Sequence, residues 1–288
     1  MNYAILADSA CDLPLHIIEK YDLDIVSLIV NMEGEEFVDD MGRTFDKSVF
    51  FDRLKNGATA STSQVNTGTY YETFKKYIEE GKPLLSLGLS SELSGSYQSA
   101  VSALNMLKEE YDNPQIVLID TKGASLGEGI LVYEAAKMRE AGKTLKETVE
   151  WLEQAKYKVH SWVTVDDIKH LQRGGRISTT SAILGTMLNV KPIIVVNRIG
   201  KLVPSAKVRG RKKSIQYLVD KTIESITEPS ERTIFIGHVG AEEEATAIKN
   251  ELEKRLHPKA VFVTTFGPAI AAHTGYGSLA VFCIGKER

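Results

Sequence analysis

Short apolar runs closed by polar residues alternate with longer stretches of helical spacing through the first half of the chain. "YAILAD" (3–8) predicts a buried strand, and "LPLHIIEKY" (13–21) a helix with Pro14 in its first turn. "DIVSLIVNM" (24–32) reads as one second strand, followed by a polar, acidic stretch, and "DKSVFFDRLKNG" (46–57) as a short helix stopped by Gly57. In "ASTSQVNTGTYYETFKKYIEEGK" (60–82) a hydroxyl-rich front precedes a helix whose apolar face is Tyr70, Phe74, Tyr77 and Ile78. "PLLSLGLS" (83–90) and "QIVLID" (115–120) are further strands, and each runs into a helix, "YQSAVSALNMLKEEY" (97–111) and "GILVYEAAKMREAG" (129–142). Thr144 and Glu147 form a capping box for one more helix. Strand-helix alternation of this kind predicts a parallel sheet with helices on its faces.

Beyond about residue 158 the rhythm changes. "VHSWVTV", "KPIIVVN", "KLVPSAK", "TIFIGHVG", "AVFVTTF" and "LAVFCIG" all read as strands, with "NRIG" (197–200) as a hairpin turn. Helices are expected only near 166–189, after Lys212 and at 242–256, the last with Glu242–Glu244 at its start and Lys254-Arg255 at its end. The expected fold is therefore α/β with two domains: residues 1–158 around a parallel sheet, and residues 159–288 as an α+β unit.

A length of 288 residues, with 43% hydrophobic and 25% charged, supports a large core and two domains, or else one large α/β domain. The net charge of −3 argues against a general nucleic-acid binder. Two cysteines, Cys11 and Cys283, make neither a metal site nor a disulfide framework. With no apolar stretch near 20 residues and no basic leader before Asp8, the expectation is a soluble, cytoplasmic protein without membrane insertion.

Chemistry concentrates at predicted strand ends. In "LSLGLSSELSGSYQSA" a strand hands over to a helix whose first N–H groups lack partners, and Gly95 lets a ligand approach between the hydroxyls of Ser94 and Ser96. Helix capping is the commoner use of such serines. Asp8-Ser9, Ser61-Thr62-Ser63-Gln64 and Asp120-Thr121 would share the same sheet edge, where ligands of open α/β sheets bind. A ring of neutral hydroxyls and amides suits a small anionic head group, carboxylate or phosphate. His238 in "FIGHVG" and His273 in "IAAHTG" stand at element ends as phosphoryl acceptors, as donors to an anion, or as satisfied buried histidines. No phosphate loop, H-E-x-x-H motif or nucleophile elbow is present. Arg173 and Arg176 flank a Gly-Gly turn, and "KVRGRKKS" (207–214) is a dense basic run, either a solvated surface or a dock for an acidic partner. "ISTTSAILGTMLNVKPIIVV" (177–196) is small and aliphatic enough for plain core or for a tunnel wall.

"DSACDLP", "STSQ", "SSELSGSYQSA", "LQRGGRIS", "VKPII", "KVRGRKK" and "FGPAIAAHTGYGSLAVF" occur in that order along nearly the whole chain. Together they resemble the DegV family of bacterial fatty-acid-binding proteins. Cys11, Val65 and Ser96 stand where a more polar residue, a proline and a threonine are expected. The resemblance implies a two-domain DegV-like fold, an α/β/α parallel-sheet domain followed by a mixed-sheet domain. It also implies a long-chain fatty acid in a tunnel between them, with no cofactor, no metal and no catalytic residue of the protein's own. The implied partner is a fatty-acid kinase, which brings ATP and metal and makes an acyl phosphate for phospholipid synthesis. Transferred to this sequence, Thr62, Ser63 and Ser94 bind the carboxylate, Gly95 adds a backbone amide and His273 completes the network. Arg176 lies at the site mouth, and Arg209 and Arg211 serve the kinase interface. A phosphotransfer enzyme with a histidine acceptor is the competing expectation.

Overall fold

The computed structural model describes residues 3–178 and 189–288. In its first part, strands β1 (Ala4–Asp8), β2 (Asp24–Val26), β6 (Leu84–Gly88) and β7 (Ile116–Asp120) form a parallel sheet in the order β2-β1-β6-β7. "DIVSLIVNM" is two strands rather than one. After β2 the chain leaves the sheet, and β3 (Ile29–Met32) pairs with β4 (Glu35–Val38) and β5 (Ala60–Ser63) in a separate antiparallel sheet. The break has a local cause: the amide of Leu28 donates to the Ser9 hydroxyl at 3.0 Å instead of to a strand partner. The tight β3–β4 turn uses Glu33 and Gly34, both at positive φ (52° and 86°). The acidic stretch is thus a hairpin.

Helices cover the parallel sheet as the alternation predicts: α1 (Leu15–Lys20), α3 (Thr67–Glu79), α4 (Ser96–Glu110), α5 (Leu126–Glu140) and α6 (Leu145–Ala155), while α2 (Lys47–Lys55) lies beside the small sheet. Asn66 caps α3, and Thr144 with Glu147 closes the capping box of α6. α5 is buried nearly all round, from Leu126 through Val132 to Ala136. A helix without a wet face needs partners on both sides. It has β1 and β6 on one side and β8 (Val159–Thr164), β11 (Thr233–His238) and β13 (Leu279–Ile284) on the other.

Those three strands belong to a six-stranded mixed sheet completed by β9 (Val190–Val196), β10 (Leu202–Arg209) and β12 (Ala260–Thr265), in the order β10-β9-β8-β13-β11-β12. One face meets α5 and the core shared with the parallel sheet. The other packs on α8 (Arg211–Ser225) and α9 (Glu242–Leu256) through a second cluster that includes Ile193, Leu218, Ile234, Ile248 and Val281. α7 (Lys169–Arg173) is only five residues long, and α10 (Pro268–Thr274) is a helix that apolar periodicity does not announce. The helix expected near 166–189 is thus cut short: it stops at the Gly174-Gly175 turn, residues 174–178 are turn and loop, and residues 179–188 of the aliphatic stretch lie outside the described residues. No helix among the described residues is long and apolar enough to cross a membrane.

Candidate functional site

A slender cavity runs between the two sheet systems. Its interior is about 80 Å³, within about 780 Å³ of space between atoms that includes its open mouth. Leu28, Leu89 and Leu93 line it from the first part; Val163, Ile194, Val196, Leu202, Phe266 and Phe282 line it from the second. Polar side chains are few. Thr62, Ser94, Arg176 and His273 all face this cavity, although 211 residues separate Thr62 from His273.

Hydrogen bonding decides what these groups can offer a ligand. Thr62 Oγ1 and His273 Nε2 are 2.7 Å apart. Burial, followed by the nearby Arg176 guanidinium, lowers the His273 pKa to about 4, so the ring is neutral at physiological pH. With Nε2–H donating to Thr62, the threonine hydroxyl proton is free to donate onward. Serine 94 reaches the same condition by another route. The amide of Val65 donates to Ser96 Oγ at 3.1 Å, and the two serine hydroxyls are 3.0 Å apart. Ser94 Oγ also accepts from the Ser96 amide at 3.2 Å. If Ser96 directs its own proton to Ser94, the Ser94 proton faces the cavity without an internal acceptor. Val65, where a proline was expected, thereby supplies a donor that proline lacks.

The remaining residues divide. Gly95 is the N-cap of α4 and does not line the cavity; the Gln64 side chain lies against its Cα, where any side chain would collide. Ser63 does not join the site. Neighbouring residues of a strand point to opposite faces, so with Thr62 facing the cavity Ser63 faces out, is exposed, and accepts a long 3.4 Å bond from Asn31. Arg176 lines the mouth, but its Nε donates to the Leu93 carbonyl at 3.1 Å and its Nη1 to the Gly174 carbonyl at 2.5 Å. Arg209 is exposed near the end of edge strand β10. Arg211 is turned inward: its guanidinium grips Glu244 at 2.5–3.1 Å and approaches Asp166 at 3.6 Å. Positive charge at the start of α8 is thus answered from within the molecule.

His238 is buried at the end of β11, outside the cavity, and its Nδ1 accepts from the Ala241 amide at 3.3 Å. Burial lowers its pKa. It fits the satisfied structural histidine among the three readings. Ser125 and Ala269, in the cavity wall, adjoin the buried carboxyls of Asp12 and Asp39, which the sequence motifs do not single out as site groups. Asp12 accepts from Ser125 Oγ at 2.5 Å and from the Gly267 amide at 2.7 Å. Burial pushes Asp8 up to about 6, Asp12 to about 7 and Asp39 to about 6, and it pushes Glu128 well above the usual range. No group of three or more metal-ligating side chains occurs among the described residues.

This arrangement has relatives. The family model described as an uncharacterised protein of the DegV family matches residues 2–286. The chain belongs to the DegV family. A DegV domain-containing protein of Clostridium perfringens is 39% identical over 287 residues, covering 100% of this chain and 99% of that one. Among solved structures, a DegV lipid-binding protein from Thermotoga maritima superposes with a TM-score of 0.87 at 30% identity and covers 100% of both chains. A DegV-family protein from Thermus thermophilus, described for its fatty-acid binding, gives a TM-score of 0.89 at 27% identity, covering 99% of this chain and 100% of that one. The two-part α/β architecture is therefore that of DegV structures.

Proposed function

We propose that this protein binds a long-chain fatty acid in the inter-sheet cavity and presents its carboxylate at the mouth to a fatty-acid kinase. The kinase, with its own ATP and metal, would form an acyl phosphate for phospholipid synthesis. The supporting observation is the placement of two hydroxyls, on Thr62 and Ser94, beside His273 in a mostly apolar cavity, where each can turn its proton toward a ligand when its internal partner acts as the donor. Neutral donors hold a carboxylate without the tight ion pair a free arginine would form, leaving an oxygen available to a phosphoryl donor. The tail gains about 0.8 kcal/mol for each CH₂ withdrawn from water. The interior volume is below the roughly 300 Å³ of ordinary small-ligand sites, so loading requires the Leu, Ile and Val side chains along the walls to part. On this reading the chain is a carrier with no cofactor, and the exposed Arg209 meets the partner while Arg211 anchors α8.

Gentle purification, denaturation and mass spectrometry of the organic extract test the carrier reading. A co-purifying fatty acid, or tight uptake of added oleate or palmitate, is expected. An empty extract together with no uptake would overturn it. For the kinase step, Arg209→Ala is expected to keep lipid binding and slow acyl-phosphate formation; loss of lipid instead would refute the division of roles. The phosphotransfer alternative has less support, since His238 is committed to a backbone amide and His273 to Thr62.

A further inference from the structure

Seven of the described residues lining the cavity carry polar side chains, and six of them make at least one internal hydrogen bond, although His273 Nδ1 has none. Thr62, Ser94, Arg176 and His273 form the head-group end. Ser125 donates to Asp12, and Thr274 donates to the Ile270 carbonyl and pairs with Ser278. The seventh is Ser161. Its hydroxyl is buried and has no hydrogen-bond partner among the described residues. Ser161 stands on β8 with its side chain on the same face as Val159 and Val163, opposite Phe282 of β13. Its surroundings are the Cα of Gly127, where an added Cβ would come within 3.0 Å of the hydroxyl, and the Phe282 ring. None of these belongs to the head-group end.

A buried hydroxyl without a partner is disfavoured, typically by a few kcal/mol, and is uncommon in folded proteins. Alanine would pack this wall with no such penalty. A hydroxyl here therefore suits a ligand that brings its own polar group to the wall. Resting on the fatty-acid reading above, we propose that Ser161 is a specificity-determining residue that favours acyl chains bearing an oxygen substituent, a mid-chain hydroxyl or keto group, over plain saturated chains. An apolar cavity admits a chain hydroxyl only if it finds a partner there, since its water is stripped on entry. Ser161 both donates and accepts, so a chain hydroxyl satisfies it in either direction, and a keto oxygen satisfies its donor.

The test is a competition between stearic acid and a series of hydroxystearic acids that differ in hydroxyl position. Wild type, Ser161→Ala and the nearly isosteric Ser161→Cys are compared by native mass spectrometry of the loaded proteins. In wild type one hydroxyl position is expected to be preferred over stearate, and that ratio should fall about fivefold to tenfold in Ser161→Ala, as loss of one buried hydrogen bond implies. Ser161→Cys should fall between them and guards against a folding artefact. A hydroxystearate-to-stearate ratio equal in all three proteins at every position overturns the proposal while leaving fatty-acid binding intact. Failure of every protein to take up stearate or any hydroxystearate overturns the fatty-acid reading and this proposal with it.

Discussion

Replacing Thr62 by valine keeps the shape of the side chain and removes its hydroxyl, so it isolates what that proton does. Two effects are separable. In the unliganded protein, His273 Nε2 loses its 2.7 Å partner while Nδ1 already lacks one, leaving both nitrogens of a buried ring unpaired. A stranded buried polar group costs about 1–3 kcal/mol, so the urea midpoint should fall by a corresponding amount. In the complex, the carboxylate loses a charge-assisted bond of about 1.5–3 kcal/mol, a weakening of about tenfold to 150-fold in oleate affinity. Thr62→Ser retains the donor and should recover most of both. Denaturation curves and displacement of a fluorescent acyl probe give the two numbers independently. Wild-type affinity in Thr62→Val would refute the assignment of Thr62 as a head-group donor. Lost stability with unchanged affinity would show that the hydroxyl serves His273 alone.

Other consequences follow from the same geometry. The Glu128 pKa is raised by burial and by Asp8 and Asp12, so its folded value lies well above the ordinary 4.5. Stability from this group is fully present below about 4.5 and falls as pH rises toward the folded value; Gln cannot titrate. Urea unfolding as pH rises above 4.5 should therefore show Glu128→Gln gaining on wild type by up to about 1.4 kcal/mol per pH unit until the folded value is passed, and a flat difference would contradict a raised Glu128 pKa. In Gly267→Ala the new Cβ would lie 2.8 Å from Asp12 Oδ1 and 3.1 Å from Asp39 Oδ2, so overpacking should cost about 1–3 kcal/mol by calorimetry. Arg211→Ala should lower thermal stability by releasing Glu244 yet leave fatty-acid affinity unchanged; loss of affinity would place Arg211 in ligand binding.

Much of this molecule is legible in its sequence, and what is not has physical reasons. The parallel sheet showed itself because fully buried strands such as "AILAD" and "LLSLG" are continuous apolar runs, and α9 because its charges match its dipole. The small antiparallel sheet was hidden, since a break caused by one side-chain bond, Ser9 to Leu28, leaves no mark on apolar periodicity. α10 was missed for a different reason: seven residues are too short for a periodic signal. Its punctuation was present all the same, with Pro268 at the first helical position and Gly275 at positive φ after the last. Thr62, Ser94 and His273, named together by the family resemblance, do line one cavity; the strand-end hydroxyls alone pointed to helix caps as readily as to a site. Ser63 was misplaced because the stretch was read as a helix front, whereas a strand sends adjacent side chains to opposite faces. Ser161 escaped notice since an isolated serine in a strand looks like ordinary alternation, and only the cavity beside it gives its hydroxyl meaning.

On the proposed reading, the head-group end works by withholding charge. Arg176 is the cation among the described residues lining the cavity, and two carbonyls engage its guanidinium; His273 is kept neutral by burial and by that same arginine. Behind the wall, Asp8, Asp12 and Asp39 have pKa values near 6 to 7, so an approaching carboxylate meets carboxyls that accept protons readily instead of a fixed block of negative charge. With electrostatics so muted, two hydroxyl bonds supply only a few kcal/mol, less than association itself consumes. The difference has to come from the tail. At about 0.8 kcal/mol per CH₂ a chain of some sixteen carbons contributes over 10 kcal/mol before the walls are parted, whereas a six-carbon acid contributes less than half of that. On the proposed reading the head site is thus too weak to hold a short acid by itself, and a free arginine there would raise the affinity for short and long acids by the same factor, making short acids bind measurably.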